Sequence, residues 1–133
     1  MSVEMKIFKE MCDIVGVQMG YADENGISKW FNEAMYASGK RKESDLDRHL
    51  KDCHTEKTHP KIDFIYKAFE EGRREPFAVK RMIGGKKTVV HYYPVFIEDV
   101  FKGVFETIIH PEKLLEDFPF PGEFSLFKTG QDS

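Results

Sequence analysis

The sequence has little cysteine, no long hydrophobic segment and no excess of one charge, and each absence excludes a class of protein. Its two cysteines, Cys12 and Cys53, are too few for a disulfide scaffold. No apolar run approaches the length of a membrane span, and the N-terminal segment MSVEMKIFKEM is not built like a signal peptide. We therefore expect a cytoplasmic protein with reduced thiols and no contact with a membrane.

The charged residues do not form a surface for nucleic acid. Basic and acidic residues number 20 and 23, the formal net charge is -3, and Lys40-Arg41-Lys42 is followed at once by Glu43 and Asp45. A nucleic-acid-binding protein usually carries a contiguous basic patch. We therefore predict that nucleic acid is not a partner.

Aromatic and apolar residues are plentiful enough for one folded domain. The 133 residues are 41% hydrophobic and include twelve phenylalanines, whereas a disordered chain would have few aromatic residues. A chain of this length fits a single domain. We predict one domain over residues 1–133, with a core of about 14–110, an N-terminal flanking helix at 1–13, and a C-terminal helix and tail at 111–133.

The spacing of apolar residues predicts helices and strands in a definite order. Helical spacing over Val3–Val15 gives a first helix, and alternation around the turn Asp23–Gly26 gives a β-hairpin. A charged stretch of short helices follows, and a clear helix over Pro60–Glu71 ends before Gly72. Within residues 76–110 three alternating runs separated by turns predict three more strands.

This order predicts the fold class. Five strands, with helices inserted after the second, make an α+β domain built on a five-stranded antiparallel sheet with flanking helices. The single apolar face of Pro60–Glu71 predicts that the helices cover mainly one face of the sheet. The phenylalanines of the C-terminal tail, Phe120, Phe124 and Phe127, predict that the tail docks on the domain.

The segment DCHTEKTHP, residues 52–60, places one thiol and two imidazoles close together. Adjacent side chains converge poorly on a metal ion and there is no second ligand pair, so we predict no metal site. A thiol-dependent enzyme using Cys53 and His54 is an alternative. The favoured interpretation is an entry into the following helix, with Cys53 buried, His54 bonded to backbone, and Thr58 or His59 capping the helix.

Two polar residues interrupt the predicted strands. On its strand His91 shares a face with Val89 and Tyr93, and Glu106 lies between Phe105 and Thr107. A buried carboxylate needs a partner, and His91 on the adjacent strand is the obvious one. The alternative is that Glu106 faces solvent, and the sequence leaves the two equally open.

Three segments of the sequence resemble a known family. GYADENGISKWFNEA resembles the opening hairpin of PAS domains, in which an Asp ends the first strand and an Asn follows the second, here Asp23 and Asn32. DCHTEKTHPKIDFIYKAFEEGRRE and GGKKTVVHYYPVFIEDVFKGVFETI resemble the central helix and last hairpin of the PAS module in DUF438-type proteins. Departures include Asp52, where that module has Asn, and TEKT in place of PPKS.

The resemblance implies a sensory or signalling domain without catalysis of its own. It would bind a small ligand in a pocket between the inner sheet face and the central helix, or act through protein–protein interaction, as a homodimer or with a signalling partner. The cofactor is unknown; a small organic ligand is expected, and haem held by an axial His54 or His59 is the alternative. The ligand-binding candidates are Cys53, His54, Ile62, Ile65, Tyr66, Phe69, His91, Tyr92 and Glu106.

Overall fold

The computed structural model describes residues 2–117, and these residues form helices and strands in the predicted order. Short 3-10 turns at residues 43–45, 50–52 and 56–58 connect the second and third α-helices. The elements are α1 (Val3–Ile14), β1 (Gln18–Asp23), β2 (Ser28–Phe31), α2 (Glu33–Ala37), α3 (His59–Glu70), β3 (Phe77–Ile83), β4 (Lys86–Ile97), β5 (Val100–Ile109) and α4 (Pro111–Asp117).

The five strands form one antiparallel sheet in the order β2-β1-β5-β4-β3. The first strand of the chain therefore pairs with the last, and the hairpin β1–β2 is joined to the meander β3–β4–β5 in the middle of the sheet. The predicted α+β fold, with its five-stranded antiparallel sheet and helices inserted after the second strand, is confirmed.

The helices between β2 and β3 cover one face of the sheet, the inner face. Side chains alternate along each strand, so every second residue of β1, β4 and β5 points inward. Two clusters fill the space between the inner face and the helices. One contains Phe31, Met35, Val90 and Ile108, and the other contains Ile65, Phe69 and Val104.

Helix α3 closely follows the prediction at its two ends. Pro60 lies in its first turn, where a missing N–H costs nothing, and Gly72 follows its end with φ +107°, a conformation that suits glycine. The predicted cap by Thr58 or His59 is wrong, because a 3-10 turn runs directly into the helix and no side chain caps it. The His59 Nε2–H instead points back, 2.9 Å from the Lys51 carbonyl oxygen.

Helix α1 lies at the edge of the fold with its apolar residues exposed. The Ser2 hydroxyl caps it by accepting a hydrogen bond from the Met5 N–H, and no residue of the helix is buried. Ile7, Phe8 and Met11 are each more than half exposed. The predicted docking of the C-terminal phenylalanines concerns residues 118–133, which lie outside the described residues.

Asn32 connects three elements at the start of α2. Its side-chain oxygen accepts hydrogen bonds from the N–H groups of Met19 and Met35, and its amide nitrogen donates to the carbonyl oxygens of Cys12 and Val17. The side chain is fully buried, so water cannot replace any of these bonds. One residue therefore fixes the end of α1 and the start of β1 against α2.

We expect Asn32→Ala to lower the free energy of unfolding by about 2–4 kcal/mol, because it removes a helix cap and leaves buried backbone groups without partners. Urea unfolding followed by circular dichroism measures this. The control is Asn25→Ala in the exposed turn of the first hairpin, which should change the free energy of unfolding by less than about 0.5 kcal/mol. Equal effects of the two changes would contradict the role given to Asn32.

Candidate ligand-binding site

A cavity of about 190 Å³ lies between the inner sheet face, α3 and the loop that follows α2. Part of its lining is apolar and comes from the sheet and from α3. These apolar residues include Ala22, Phe31, Ile62, Ile65, Val90 and Val104. The polar part of the lining includes Ser28, His54, Tyr92 and Glu106, together with the basic residues Lys40, Arg41, Lys61 and Arg81.

Five of the nine residues proposed from the sequence line this cavity: His54, Ile62, Ile65, Tyr92 and Glu106. Two others belong to the packing beneath α3. Phe69 is fully buried in the core cluster beside the cavity. Tyr66 donates its hydroxyl hydrogen to the Asp23 carbonyl oxygen at 2.9 Å, and burial raises its pKa.

His91 lies on the opposite face of the sheet from Glu106. Of the two interpretations that the sequence left open, the contact between His91 and Glu106 is therefore wrong, and so is a Glu106 that faces solvent, because Glu106 lines the cavity. In the register of β4 and β5, His91 pairs with Thr107 while Glu106 pairs with Tyr92. The imidazole stacks on the Tyr93 ring with centroids 5.6 Å apart. Paired residues of two strands share a face, and the next residue along either strand points to the other face. Glu106 is next to Thr107, the partner of His91, so Glu106 and His91 point to opposite faces.

Glu106 is the acidic residue of the cavity lining. It lies on the inner face between Tyr92 of β4 and Gly20 of β1. Among the described residues no hydrogen bond or ion pair reaches its carboxylate. Burial raises the pKa of Glu106, although the positive charges of Arg41 and Arg81 oppose the shift.

His54 holds Arg41 at the cavity. The His54 Nδ1 atom lies 2.7 Å from the Leu50 carbonyl oxygen, which only accepts, so Nδ1 carries the hydrogen. Nε2 is then the acceptor for the Arg41 guanidinium, 2.9 Å away. Burial, with Arg41 nearby, lowers the pKa of His54. The imidazole is therefore neutral at pH 7, and both of its nitrogens are engaged.

Cys53 lies outside the cavity and is not activated. It is half-buried, and its thiol donates to the carbonyl oxygens of His49 and Leu50 at 3.8 and 3.5 Å. Burial raises the pKa of Cys53, which disfavours the thiolate that a nucleophile requires. The neighbouring His54 bonds to Arg41 instead, so the two residues do not form a catalytic pair.

The four basic residues of the lining were not identified from the sequence. Lys40 and Arg41 follow Gly39, which ends α2 with φ +77°, and this turn brings them to the cavity. Arg81 comes from β3, and Lys61 from α3 donates to the Tyr92 hydroxyl oxygen at 3.3 Å. For Lys40 and Arg41 the sequence contains one local signal, Gly39, because a glycine often follows the end of a helix.

The histidines and acids do not gather into a metal site. Within residues 2–117, where side chains are described, no three His, Cys, Asp or Glu side chains are placed to hold a metal ion. His59 is not part of the cavity lining, and its Nε2 faces the carbonyl oxygens of Lys51 and His54. None of the helices of this part of the chain combines the length and apolar character needed to cross a membrane.

Comparison with known proteins identifies the family. A family model described as a PAS domain matches residues 8–110, which is most of the chain. The five-stranded antiparallel sheet, with helices inserted between its second and third strands, is consistent with a PAS fold. The protein therefore belongs to the PAS domain family, a family of sensory modules.

Solved structures with a similar fold include other PAS domains. A C-terminal domain from Streptococcus mutans has a TM-score of 0.74 at 21% identity, over 87% of this chain and 90% of that chain. The PAS domain of BvgS from Bordetella pertussis has a TM-score of 0.65 at 13% identity, over 87% and 94%. The PAS domain of the histidine kinase ThkA has a TM-score of 0.53 at 22% identity, over 69% and 97%. No curated protein matches the sequence.

We expect Glu106→Gln to raise the melting temperature at pH 7. A carboxyl whose pKa is raised by folding contributes stability below the ordinary pKa of glutamate, and this contribution is lost as the pH rises through the folded-state pKa. The gain should therefore be present at pH 7 and disappear near pH 4, as thermal unfolding followed by circular dichroism would show. Glu75→Gln, at an exposed position, is the control and should change stability equally little at both pH values. A Glu106→Gln variant less stable than wild type at pH 7 would contradict this account.

Proposed function

We propose that this PAS domain senses a small organic molecule bound in the cavity and transmits its binding to a protein partner, without catalysing a reaction. The observation that carries the proposal is the cavity itself, which combines apolar walls with a few polar groups. Cavities of this kind are typical of sites for small ligands.

Ser28 supports this proposal independently of the charged residues. The side chain is only 1% exposed and lines the cavity, and its hydroxyl oxygen has no hydrogen-bond partner among residues 2–117. A buried hydroxyl without a partner costs free energy, so such groups are rare unless something else binds them. A ligand in the cavity would supply the missing bond.

The two alternatives from the sequence receive less support. Haem ligation by His54 through Nε2 would require breaking its bond to Arg41, and His59 is not part of the cavity lining. A thiol-dependent reaction would need Cys53 as a thiolate, which its burial disfavours. We therefore propose a binding function, in a reducing compartment such as the cytoplasm, where the two free cysteines stay reduced.

We expect Ala22→Leu to prevent the protein from retaining a small molecule. Ala22 is 5% exposed and lines the cavity, so a larger side chain takes the ligand's space at a cost in stability of about 1–3 kcal/mol. Native mass spectrometry of the purified protein would detect the bound molecule in wild type and not in the variant. Ala78→Leu, on the exposed face of β3, is the control and should retain the molecule.

Two results would contradict the proposal. One is equal retention of the small molecule by Ala22→Leu and wild type. The other is a wild-type protein that retains no molecule and whose melting temperature responds to no compound in a metabolite set.

We further propose that α1 provides the contact with a partner, most simply a second copy of the chain. Its apolar residues Ile7, Met11 and Ile14 follow helical spacing and are 54%, 57% and 71% exposed. An apolar stripe of this kind marks an interaction surface. Pairing of two such helices would bury both stripes at once.

We expect Met11→Glu to weaken the dimer, because it places a charge in the centre of the apolar stripe. Sedimentation velocity at high micromolar concentration should show a dimer for wild type and a monomer for the variant. Lys6→Glu changes the charge of α1 away from the stripe and should leave the dimer intact. A wild-type protein that sediments only as a monomer would contradict the homodimer.

A further inference from the structure

The charge of the cavity lining is unbalanced. Lys40, Arg41, Lys61 and Arg81 all line it, whereas Glu106 is the acid among the lining residues. Within the described part of the chain, none of the four cations forms an ion pair, although exposed basic residues elsewhere do. Among the described residues, the cavity lining therefore carries four basic side chains and one acid, Glu106.

Three of these cations are held in place by neutral acceptors. Lys40 donates to the Gln18 side-chain oxygen, 3.0 Å away. The Arg41 guanidinium donates to His54 Nε2 and to the Lys40 carbonyl oxygen, 2.9 and 2.6 Å away. Lys61 donates to the Tyr92 hydroxyl oxygen. The side chain of Arg81 has no hydrogen bond or ion pair among the described residues. Neutral acceptors orient a cation without cancelling its charge.

We propose that the cavity binds a small organic carboxylate, with its carboxylate group facing Arg41 and Arg81 and its apolar body packed between α3 and the sheet. Guanidinium groups match the two oxygens of a carboxylate in geometry and charge. This inference rests on the proposed function, because it assumes that the cavity is the ligand site.

Glu106 favours a monoanion over a phosphate. With Glu106 ionised, a doubly charged phosphate would place three negative charges in one small cavity, whereas a carboxylate would place two. Burial raises the pKa of Glu106, and in its protonated form the carboxyl can donate a hydrogen bond to the carboxylate of the ligand. Burial also raises the pKa of Tyr92 to about 12, so its hydroxyl remains a donor at pH 7.

Ser28 supplies a further donor. Its residue lines the same cavity, and the buried hydroxyl has no partner in the part of the chain that the structure describes. Several donors and cations around an apolar space select for an anion with a hydrocarbon part, since each anionic oxygen can accept more than one hydrogen bond. A neutral ligand would not neutralise the positive charge of the arginines.

Matched pairs of probes test the inference on the full chain. The pairs are 3-methylbutanoate with 3-methylbutanamide, and benzoate with benzamide, which differ in charge and hardly in shape. Phenyl phosphate provides a doubly charged analogue of benzoate. At pH 7 we expect at least one acid to raise the melting temperature, and calorimetry to show roughly tenfold or weaker binding of the matching amide.

Two variants of the same strand provide the residue test. Arg81 and Lys80 are neighbours on β3, and they point to opposite faces of the sheet. Arg81→Gln should weaken binding of the acid by roughly tenfold or more, because it removes a charged donor from the cavity. Lys80→Gln removes the same charge from the outer face and should leave binding of the acid unchanged. Equal losses in both variants would overturn the assignment to the cavity.

The remaining outcomes separate this inference from the proposed function. If an amide binds as tightly as its acid, or if native mass spectrometry finds a neutral retained molecule, the cavity is a ligand site but the carboxylate inference is wrong. Tighter binding of phenyl phosphate than of benzoate would also overturn it. If no acid binds while Ala22→Leu still abolishes retention, the carboxylate inference fails alone. If Ala22→Leu has no effect either, the proposed function fails with it.

Discussion

The pairing of the first strand with the last is the constraint on which the site depends. Strands β1 and β5 are adjacent at the centre of the sheet, with Gly20 opposite Glu106. Tyr92 of β4 lies on the other side of Glu106. Residues that are far apart in the chain thereby share the inner face. A slip of one residue in either register would turn Glu106 to the outer face and remove the acid from the cavity.

Two groups of the cavity lining reduce the stability of the fold. Within the described residues Ser28 has a buried hydroxyl without a partner, and Glu106 has a carboxyl whose charged form is disfavoured by burial. Both are costs that a fully packed core would avoid. The packing on either side compensates, since Phe69 and Met35 are almost completely buried in the two flanking clusters. Proteins that bind ligands often combine well-packed regions with a site whose polar groups lack protein partners.

Local patterns in the sequence predicted the elements well, because each depends on nearby residues. The apolar spacing of Ile62, Ile65 and Phe69 defines α3, and the alternation of β4 and β5 defines the hairpin they form. The resemblance of the hairpin around Asp23 and of Asn32 to PAS domains indicated the family, which the comparison confirms. The fold therefore follows from periodicity and from a few family positions.

The facing of side chains and the basic lining could not be predicted in the same way. The sequence left open whether Glu106 contacts His91 or faces solvent, because whether the two residues share a face depends on a register set by the turn at residues 98–99. Arg41 and Arg81 are far apart in sequence, and only the tertiary fold brings both to the cavity lining. No local pattern marks them, since exposed arginines elsewhere in the chain look the same.

The way in which the cations are held explains why the protein tolerates them. An ion pair with a protein carboxylate would stabilise each cation more strongly than a neutral acceptor does. Such an ion pair would also neutralise the positive charge that is available to a ligand in the cavity. His54 and Tyr92 accept from Arg41 and Lys61 without carrying a charge, because burial lowers the pKa of His54 and raises that of Tyr92. The same burial that keeps these two groups neutral therefore preserves the positive charge of the cavity at pH 7.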